Sequence, residues 1–457
     1  MVGKYQTYLK YKESSVDWLG DIPSHWEEKR LKYLAMAYPS NVDKRNNSGE
    51  QSVELCNYTD VYRNEIITSE ISFMKATATE DQIEKFTLQK GDTIITKDSE
   101  DPSDIAVPAY VPKDLDGVVC GYHLAVIRPK KNTNGEFLKR VFESNYAKSI
   151  FTTRANGLTR YGLGTYAIDN IVYPEPSFSE QEKIVAFLNH EISKIDWLIE
   201  KQQQLIELLN EKRLAVISHA VTKGINPNVK MKDSCVKWLG EVPDHWGLRA
   251  LRFVGTCQNG INIGAEYFGS GYPFVSYGDV YRNGILQKEI TGLVQSNELD
   301  RKAYSVSEGD VLFTRTSETI DEIGFASTCL ETIEEATFAG FLIRFRPRKN
   351  FLDAGFSKYY FRNILLRAFF IREMNLVTRA SLSQNLLKKL PVVLPALEEQ
   401  KKISEFLDKK VSVFSKLINK ADFAINSMKE RRTALISSAI TGKIDVRNWQ
   451  PDKQTAA

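Results

Sequence analysis

The sequence predicts an α+β chain: two tandem-duplicated α/β domains separated by two long antiparallel coiled-coil helices, with pseudo-twofold symmetry. Three observations carry this expectation. The second half of the chain repeats the first, motif by motif and in order. Two long segments at matching places carry an apolar seam. The stretch that joins them is itself the size of a domain.

Taken from the start, VDWLGDIPSHW (Val16 to Trp26) returns as VKWLGEVPDHW (Val236 to Trp246). TDVYRNEI (Thr59 to Ile66) returns as GDVYRNGI (Gly278 to Ile285), and KGDTIITK (Lys90 to Lys97) as EGDVLFTR (Glu308 to Arg315). The runs TIIT, VVCGYHLAVIRP, VLFT and FLIRFRP are short, β-rich and bounded by Gly, Asp and Pro, so they read as strands of a curved or partly closed sheet. A helical stretch follows in each copy, Phe137 to Thr153 and Phe356 to Met374. LTR (Leu158 to Arg160) then recurs as VTR (Val377 to Arg379).

The long helices are expected over Ser179 to Lys223 and Glu398 to Gly442, with Ser179 and Glu182 as a capping box on the first. Glu180-Gln181 and Glu399-Gln400 open them, 219 positions apart. The first seam is Leu188, Ile192, Ile195, Ile199, Gln202, Ile206, Leu209, Arg213, Val216 and Ala220. The second is Leu407, Val411, Phe414, Ile418, Ala421, Ile425, Met428, Arg432, Leu435 and Ala439. This 4-3 spacing is that of a coiled coil, broken by arginine at the same place in both. At ~1.5 Å per residue each helix is roughly 66 Å long. A compact domain with neighbouring termini can join the end of one to the start of the other only if the two are antiparallel. The expected division is a domain over 1–178, a helix over 179–224, a second domain over 225–397, a second helix over 398–443 and a frayed tail over 444–457.

Composition sets few limits. The net charge is +3 and 26% of residues are charged, which neither proves nor excludes a nucleic-acid partner. No apolar run reaches transmembrane length, and no signal peptide is read at the start. The five cysteines never form CxxC and read as reduced cytosolic thiols, so a cytoplasmic location is expected.

The enzymatic motifs sought are missing. There is no P-loop, no HExxH, no paired-cysteine metal site and no Asn-Pro-Pro-Tyr-like segment; the GxG at Gly162 to Gly164 lacks a strand-to-helix context. No metal site, no cofactor and no catalysis by the chain alone are expected. His25 and His245 recur, and packing beside Trp26 and Trp246 at the domain–helix junction outweighs a ligand role for them.

What remains is binding. Basic, hydroxyl and amide side chains return at three places in both copies, on loops, while the sequence around them changes. After the Gly-Asp strands come Lys97 and Ser99, matched by Arg315, Thr316 and Ser317. After the next strands come Arg128, Lys130 and Lys131, matched by Arg346, Arg348 and Lys349. Before the long helices come Arg154, Thr159, Arg160 and Tyr161, and in the second copy Thr378, Arg379, Ser381, Gln384 and Asn385. These donors suit phosphates and base edges. A solvated charged surface explains any one of them better; the recurring set is more specific.

With the WLGxxPxHW openings, the Gly-Asp strands, the LTR/VTR segments, the runs PEPSFSEQEKI and LPALEEQKKI and the repeated helices on the page, the chain resembles, over nearly its full length, the specificity subunits of type I restriction–modification systems. The resemblance implies two target-recognition domains, each reading one half of a split, asymmetric site on double-stranded DNA. It implies that the helices fix the gap and dock two methyltransferase subunits. Those would bind S-adenosylmethionine and methylate adenine, and restriction subunits with ATP-driven motors, needing Mg, would join them. This chain would carry none of those activities. A helix of ~66 Å spans about 19 base pairs at ~3.4 Å each, an upper bound compatible with half-sites roughly one to one and a half turns apart. His219 and Lys223 become Ser438 and Gly442, so the two docking surfaces need not be equivalent. The competing readings are a protein–protein scaffold that binds no DNA and an enzyme of a type its motifs do not betray.

Overall fold

The computed structural model describes residues 5–16, 19–317, 323–373 and 380–451; at 317, 372, 373 and 380 it describes the backbone. The chain forms two compact units, Met1–Gln203 with Asp422–Ala457, and Gln204–Ala421.

A strand buried on every residue has to be covered on both faces. Thr93–Thr96 is such a strand, in a four-stranded antiparallel sheet ordered Pro108–Tyr110, Thr93–Thr96, Leu124–Pro129, Ala35–Pro39. Alternation along it sends Ile95, Ala125 and Ile127 into a core shared with the long helices. Ile94, Leu124 and Val126 point the other way, into a core closed by a second sheet. That second sheet is ordered Met74–Ala78, Gln51–Cys56, Leu115–Cys120, Thr87–Leu88, with its two central strands parallel. The second unit repeats the plan. Its first sheet runs Gly255–Asn259, Leu342–Pro347, Val311–Thr314, Ala326–Thr328. Val311, Phe313, Ile343 and Phe345 face the helix side, while Leu312 and Leu342 face a three-stranded sheet of Leu293–Val294, Phe268–Val275 and Thr337–Phe338.

The helical stretch expected over Phe137 to Thr153 is two helices, Gly135–Glu143 and Asn145–Arg154. Ser144 breaks it: its hydroxyl accepts from the Ala147 N–H and starts the second helix. The counterpart is likewise split, into Ala354–Tyr360 and Leu366–Glu373, and Met374 lies outside the described residues.

The long helices are Phe178–Lys223 and Leu397–Ile440. In the first unit Asp196 pairs with Arg432 and Lys183 reaches the Arg447 carbonyl, so the helices run in opposite directions there. In the second unit Ala220 and Val221, from the end of the first helix, share a core with Ile403 and Leu407, from the start of the second. The seam positions Leu188, Ile192, Ile195, Leu407, Phe414 and Ile425 are buried, and Ile199, Ile206, Leu209, Val411, Ile418 and Met428 are half-buried. The expected capping box is corrected. The helix starts one residue before Ser179, and the Ser177 hydroxyl accepts from the Glu180 N–H at 3.4 Å; the repeated serine at 177 and 179 hides which of them caps.

The repeated Glu-Gln pair ties each helix to its own domain. The buried Gln181 accepts from the Asn134 N–H and donates to the Pro176 carbonyl. Gln400 accepts from the Asp353 N–H and donates to the carbonyls of Phe351 and Pro395. Glu180 accepts from the Tyr8 hydroxyl at 2.6 Å and sits 3.1 Å from the His25 ring, while Glu399 sits 2.9 Å from His245. Both histidine rings lie edge-on beside the following tryptophan, so they pin the junction.

The arginine break in the seam also has a local account. Arg432 pairs with Asp196 at 3.2 Å and with Glu65, which also meets Lys139 at 2.7 Å. Burial pushes the Glu65 carboxyl up, but Lys139, Arg432 and Arg140 together outweigh it and hold the group below the usual carboxylate range. A lowered folded-state pKa adds stability above the unfolded value, and that stability is lost as pH falls through the folded one. Glu65→Gln is therefore expected to cost about 1 kcal/mol at neutral pH, kept small by solvent screening of a half-exposed group. The gap from the parent should close on acidification below the ordinary glutamate range, which thermal melts across pH will check.

The tail expectation is also corrected. Ile444 and Val446 are buried in the first unit's core, Trp449 packs on it against Phe187, and the Asp445 N–H donates to the Gln6 carbonyl; the apolar residues spaced along 444–449 were masked by the polar ones between them. No helix among the described residues is long and apolar enough to cross a membrane. The five cysteines are unpaired.

Candidate nucleic-acid interface

The strand after each Gly-Asp motif carries the chain out of the sheet and into a short pairing with the segment that follows LTR or VTR. Asp98–Ser99 pairs antiparallel with Tyr161–Gly162, and Thr316–Ser317 pairs with Ala380–Ser381. Two of the three recurring places therefore meet. Lys97 and Ser99 come beside Thr159, Arg160 and Tyr161; Arg315 and Thr316 come beside Ser381. Val377, Thr378 and Arg379 lie outside the described residues, and at Ser317 only the backbone is described.

The third place is not part of this cluster. Thr93–Thr96 and Leu124–Pro129 pair with Leu124 opposite Thr96 and Ile127 opposite Thr93. Arg128, Lys130 and Lys131 thus sit at the far end of the sheet from Lys97, and Arg346, Arg348 and Lys349 are placed alike in the second unit. Two of these side chains are also corrected from free donors to framework. The Arg128 guanidinium donates to the buried Asp92 carboxylate at 2.9 and 2.8 Å, and Arg346 donates to the buried Asp310, at 2.6 Å through its Nε. Each aspartate is the Asp of the Gly-Asp motif, so two sequence signals are the halves of one ion pair. Lys130 donates to the Lys32 carbonyl at 2.6 Å, while Lys131, Arg348 and Lys349 are exposed.

In the first unit the converging loops present cations among aromatic rings. Arg160 and Thr159 are exposed. Lys97 donates to the Ser40 carbonyl at 3.1 Å and lies 4.7 Å over the exposed Tyr122 ring. His123 meets Asp98 at 2.8 Å. Arg154 donates to the Ala167 carbonyl and lines, with Arg30, Asn156, Tyr166 and Asn170, an open cavity of about 460 Å³. Tyr58 and Tyr62, one helical turn apart on Tyr58–Arg63, stack at 5.5 Å, and Tyr62 donates to Asp104 at 2.6 Å. Burial pushes the Tyr58 phenol up, and the Tyr62 bond to Asp104 places this helix against the same loops. In the second unit Tyr277 and Tyr281 stack at 5.8 Å on Tyr277–Arg282, Arg315 points to the Gly340 carbonyl, and Phe341 is exposed. Gln384, with its amide nitrogen toward Cys257, donates to the Cys257 carbonyl and accepts from the Asn259 N–H, an internal role; Asn385 is exposed.

The stacked tyrosines were not among the residues expected from sequence to matter, although Tyr62 and Tyr281 lie in the repeated DVYRN motif and Tyr58 and Tyr277 stand two residues before it. The available signal was their i, i+4 spacing in both copies, Tyr58 and Tyr62 against Tyr277 and Tyr281. Taken together, each cluster offers cations, hydroxyls and ring faces, and the first also has the carboxylates Asp98 and Asp104 among them. A purely phosphate-binding surface would exclude those carboxylates; one that touches base edges can use them as acceptors.

The family model for the type I restriction modification DNA specificity domain matches residues 23–208 and again 249–425. The chain belongs to this family. The match falls twice, as the duplication does. The specificity subunit of the type I restriction enzyme EcoKI from Escherichia coli strain K12 is 23% identical over 352 residues, 74% of this chain and 70% of that protein. The StySPI specificity subunit from Salmonella potsdam is 23% identical over 345 residues, 74% of this chain and 70% of that protein. The structure reported as "Structural basis underlying complex assembly and conformational transition of the type I R-M system" contains a chain that superposes with a TM-score of 0.69 at 17% identity, covering 93% of this chain and 99% of its own. The HsdS subunit from Thermoanaerobacter tengcongensis superposes with a TM-score of 0.54 at 17% identity, over 93% and 98%. At that identity the superpositions speak for the fold, two α/β units and two long helices. In this chain the loops differ between the two copies while the framework repeats, and binding residues concentrate on loops held by such a framework.

Proposed function

We propose that this chain is the DNA-specificity subunit of a type I restriction–modification complex and is not catalytic by itself. Each domain reads one half of a bipartite, asymmetric site, and the long helices set the distance between the halves and dock methyltransferase subunits. Restriction subunits complete the assembly, and S-adenosylmethionine, ATP and Mg belong to the partners. Cytoplasmic DNA is the expected setting.

The single observation that carries the reading is the pairing of Asp98–Ser99 with Tyr161–Gly162, matched by Thr316–Ser317 with Ala380–Ser381. It builds the same donor-rich cluster in both units from loops whose sequences differ. A scaffold without DNA binding offers no reason for donor-rich loops to converge twice on such different sequences.

Arg160→Ala and Arg315→Ala test this separately. Each is expected to weaken or relax one half-site only, by about 1–3 kcal/mol for a base contact. Methylome sequencing of a host carrying each variant reads the two half-sites independently. A uniform loss across sequences, with a shallower salt slope in duplex binding, would reassign the residue to a phosphate.

A further inference from the structure

The two copies differ most tellingly beside the long helices. In the first unit Lys139, Arg140 and Arg432 are neutralised from within. Glu65 pairs with Lys139 and Arg432, Glu143 with Lys139 at 2.6 Å and Arg140 at 2.8 Å, and Asp196 with Arg432. At the 219-residue offset the second unit keeps Lys358 and Arg213 for Lys139 and Arg432. It replaces the carboxylates: Glu65 becomes Gly284, Glu143 becomes Arg362 and Asp196 becomes Ser415. One acid is gained, Asp408 in place of Asn189, and it meets Lys358 at 2.7 Å and the Tyr359 hydroxyl at 2.6 Å.

The result is an open cavity of about 650 Å³ whose lining includes Arg213, Arg282, Lys358 and Arg362 beside Gly284. Arg213 and Arg282 have no ion-pair partner among the described residues. Arg362 is held by the carbonyls of Tyr281, Asn283 and Ala326, and no carboxylate offsets its burial, which pulls the guanidinium below its ordinary range. Leu214, Ile285 and Ile364 stand exposed around the opening. Where Leu214 and Ile364 stand, the first unit has Thr433 and Asn145.

We infer that this cavity of the second unit is a docking site for an acidic side chain of a protein partner, a glutamate or aspartate flanked by aliphatic residues. The first unit shows which chemistry fits, because there a glutamate of the chain itself, Glu65, occupies the corresponding position. Uncompensated arginines gain from a carboxylate that brings its own charge. The aliphatic rim favours a polypeptide over a phosphate backbone, which would leave Leu214, Ile285 and Ile364 against a hydrated anion. The site is confined to one copy, so it would distinguish two otherwise similar docking surfaces. It does not rest on the DNA reading, whose clusters involve other residues.

The test uses the full-length chain and two probes, N-acetyl-leucyl-glutamyl-leucinamide and its glutaminyl counterpart, titrated at low salt. The glutamyl peptide is expected to bind at least about tenfold more tightly than the glutaminyl one, the size of a charge-assisted hydrogen bond, and to weaken with salt. Gly284→Glu restores the acid of the first unit. Position 284 is free of a left-handed constraint, and an added Cβ would meet only the flexible Arg362 side chain at 3.3 Å. This variant should melt higher than the parent and lose the peptide, and Arg213→Ala should lose the peptide without melting higher. Equal binding of both peptides, or unchanged peptide binding in Gly284→Glu, overturns the proposal. So does a short duplex that competes for the cavity while the glutamyl peptide does not bind, since the site would then be for phosphate.

Discussion

Asp92→Ala is expected to destabilise the first unit by about 3 kcal/mol, and Asp310→Ala the second by a similar amount. Breaking a buried ion pair from one side costs about 3–5 kcal/mol because the remaining charge keeps its desolvation penalty, and the partial exposure of Arg128 lowers that figure. Asp92 is fully buried, and it accepts from Arg128 through two bonds and from the Gln89 N–H at 2.9 Å. The variant leaves both donors behind. At about 2–4 °C per kcal/mol for a unit of this size, the melting midpoint should fall by roughly 6–12 °C. Asp92→Ala with Arg128→Met removes the orphaned guanidinium and should recover most of the loss, since apolar replacement of a whole pair is often neutral. Urea or thermal unfolding of the four proteins decides it. A single variant within about 0.5 kcal/mol of the parent, the range of ordinary surface substitutions, would show that the pair carries little stability.

That pair also shows where sequence reading stops. The duplication, the long helices, the apolar strands and the seam positions were legible because each is a pattern of period or repeat. Asp92 and Arg128 were not legible as partners: 36 residues separate them, and only the register of Thr93–Thr96 against Leu124–Pro129 brings them together. On paper Arg128 is one more base near Lys130. Arg432 is similar, a break in an apolar seam until Asp196 and Glu65 are placed beside it. The donor cluster was half legible. Lys97, Arg160 and Arg315 were flagged by recurrence, but their convergence, and the separation of Lys131 and Lys349 from them, depend on strand pairing that no local signal encodes. Stacked tyrosines on a six-residue helix leave too short a periodic trace to stand out from core.

Lengthening both long helices by one heptad is expected to change the spacer of the recognised site and leave both half-sites as they are. One heptad preserves the seam, because residues seven apart face the same way. Inserted after Gln202 in the first helix and after Asp422 in the second, it adds about 10 Å to each helix, or about three base pairs at ~3.4 Å. Lengthening only one helix would put Ile199 and Met428 out of step with the seam beyond them, so that variant should lose stability and activity together. Removing a heptad from both should shorten the spacer by the same amount. Under the proposed function the half-site sequences are read by the loops carrying Arg160 and Arg315, which the insertion does not touch, so methylome sequencing should return the same bases on either side of a longer gap. Changed half-sites with an unchanged gap would show that the helices do not measure the site.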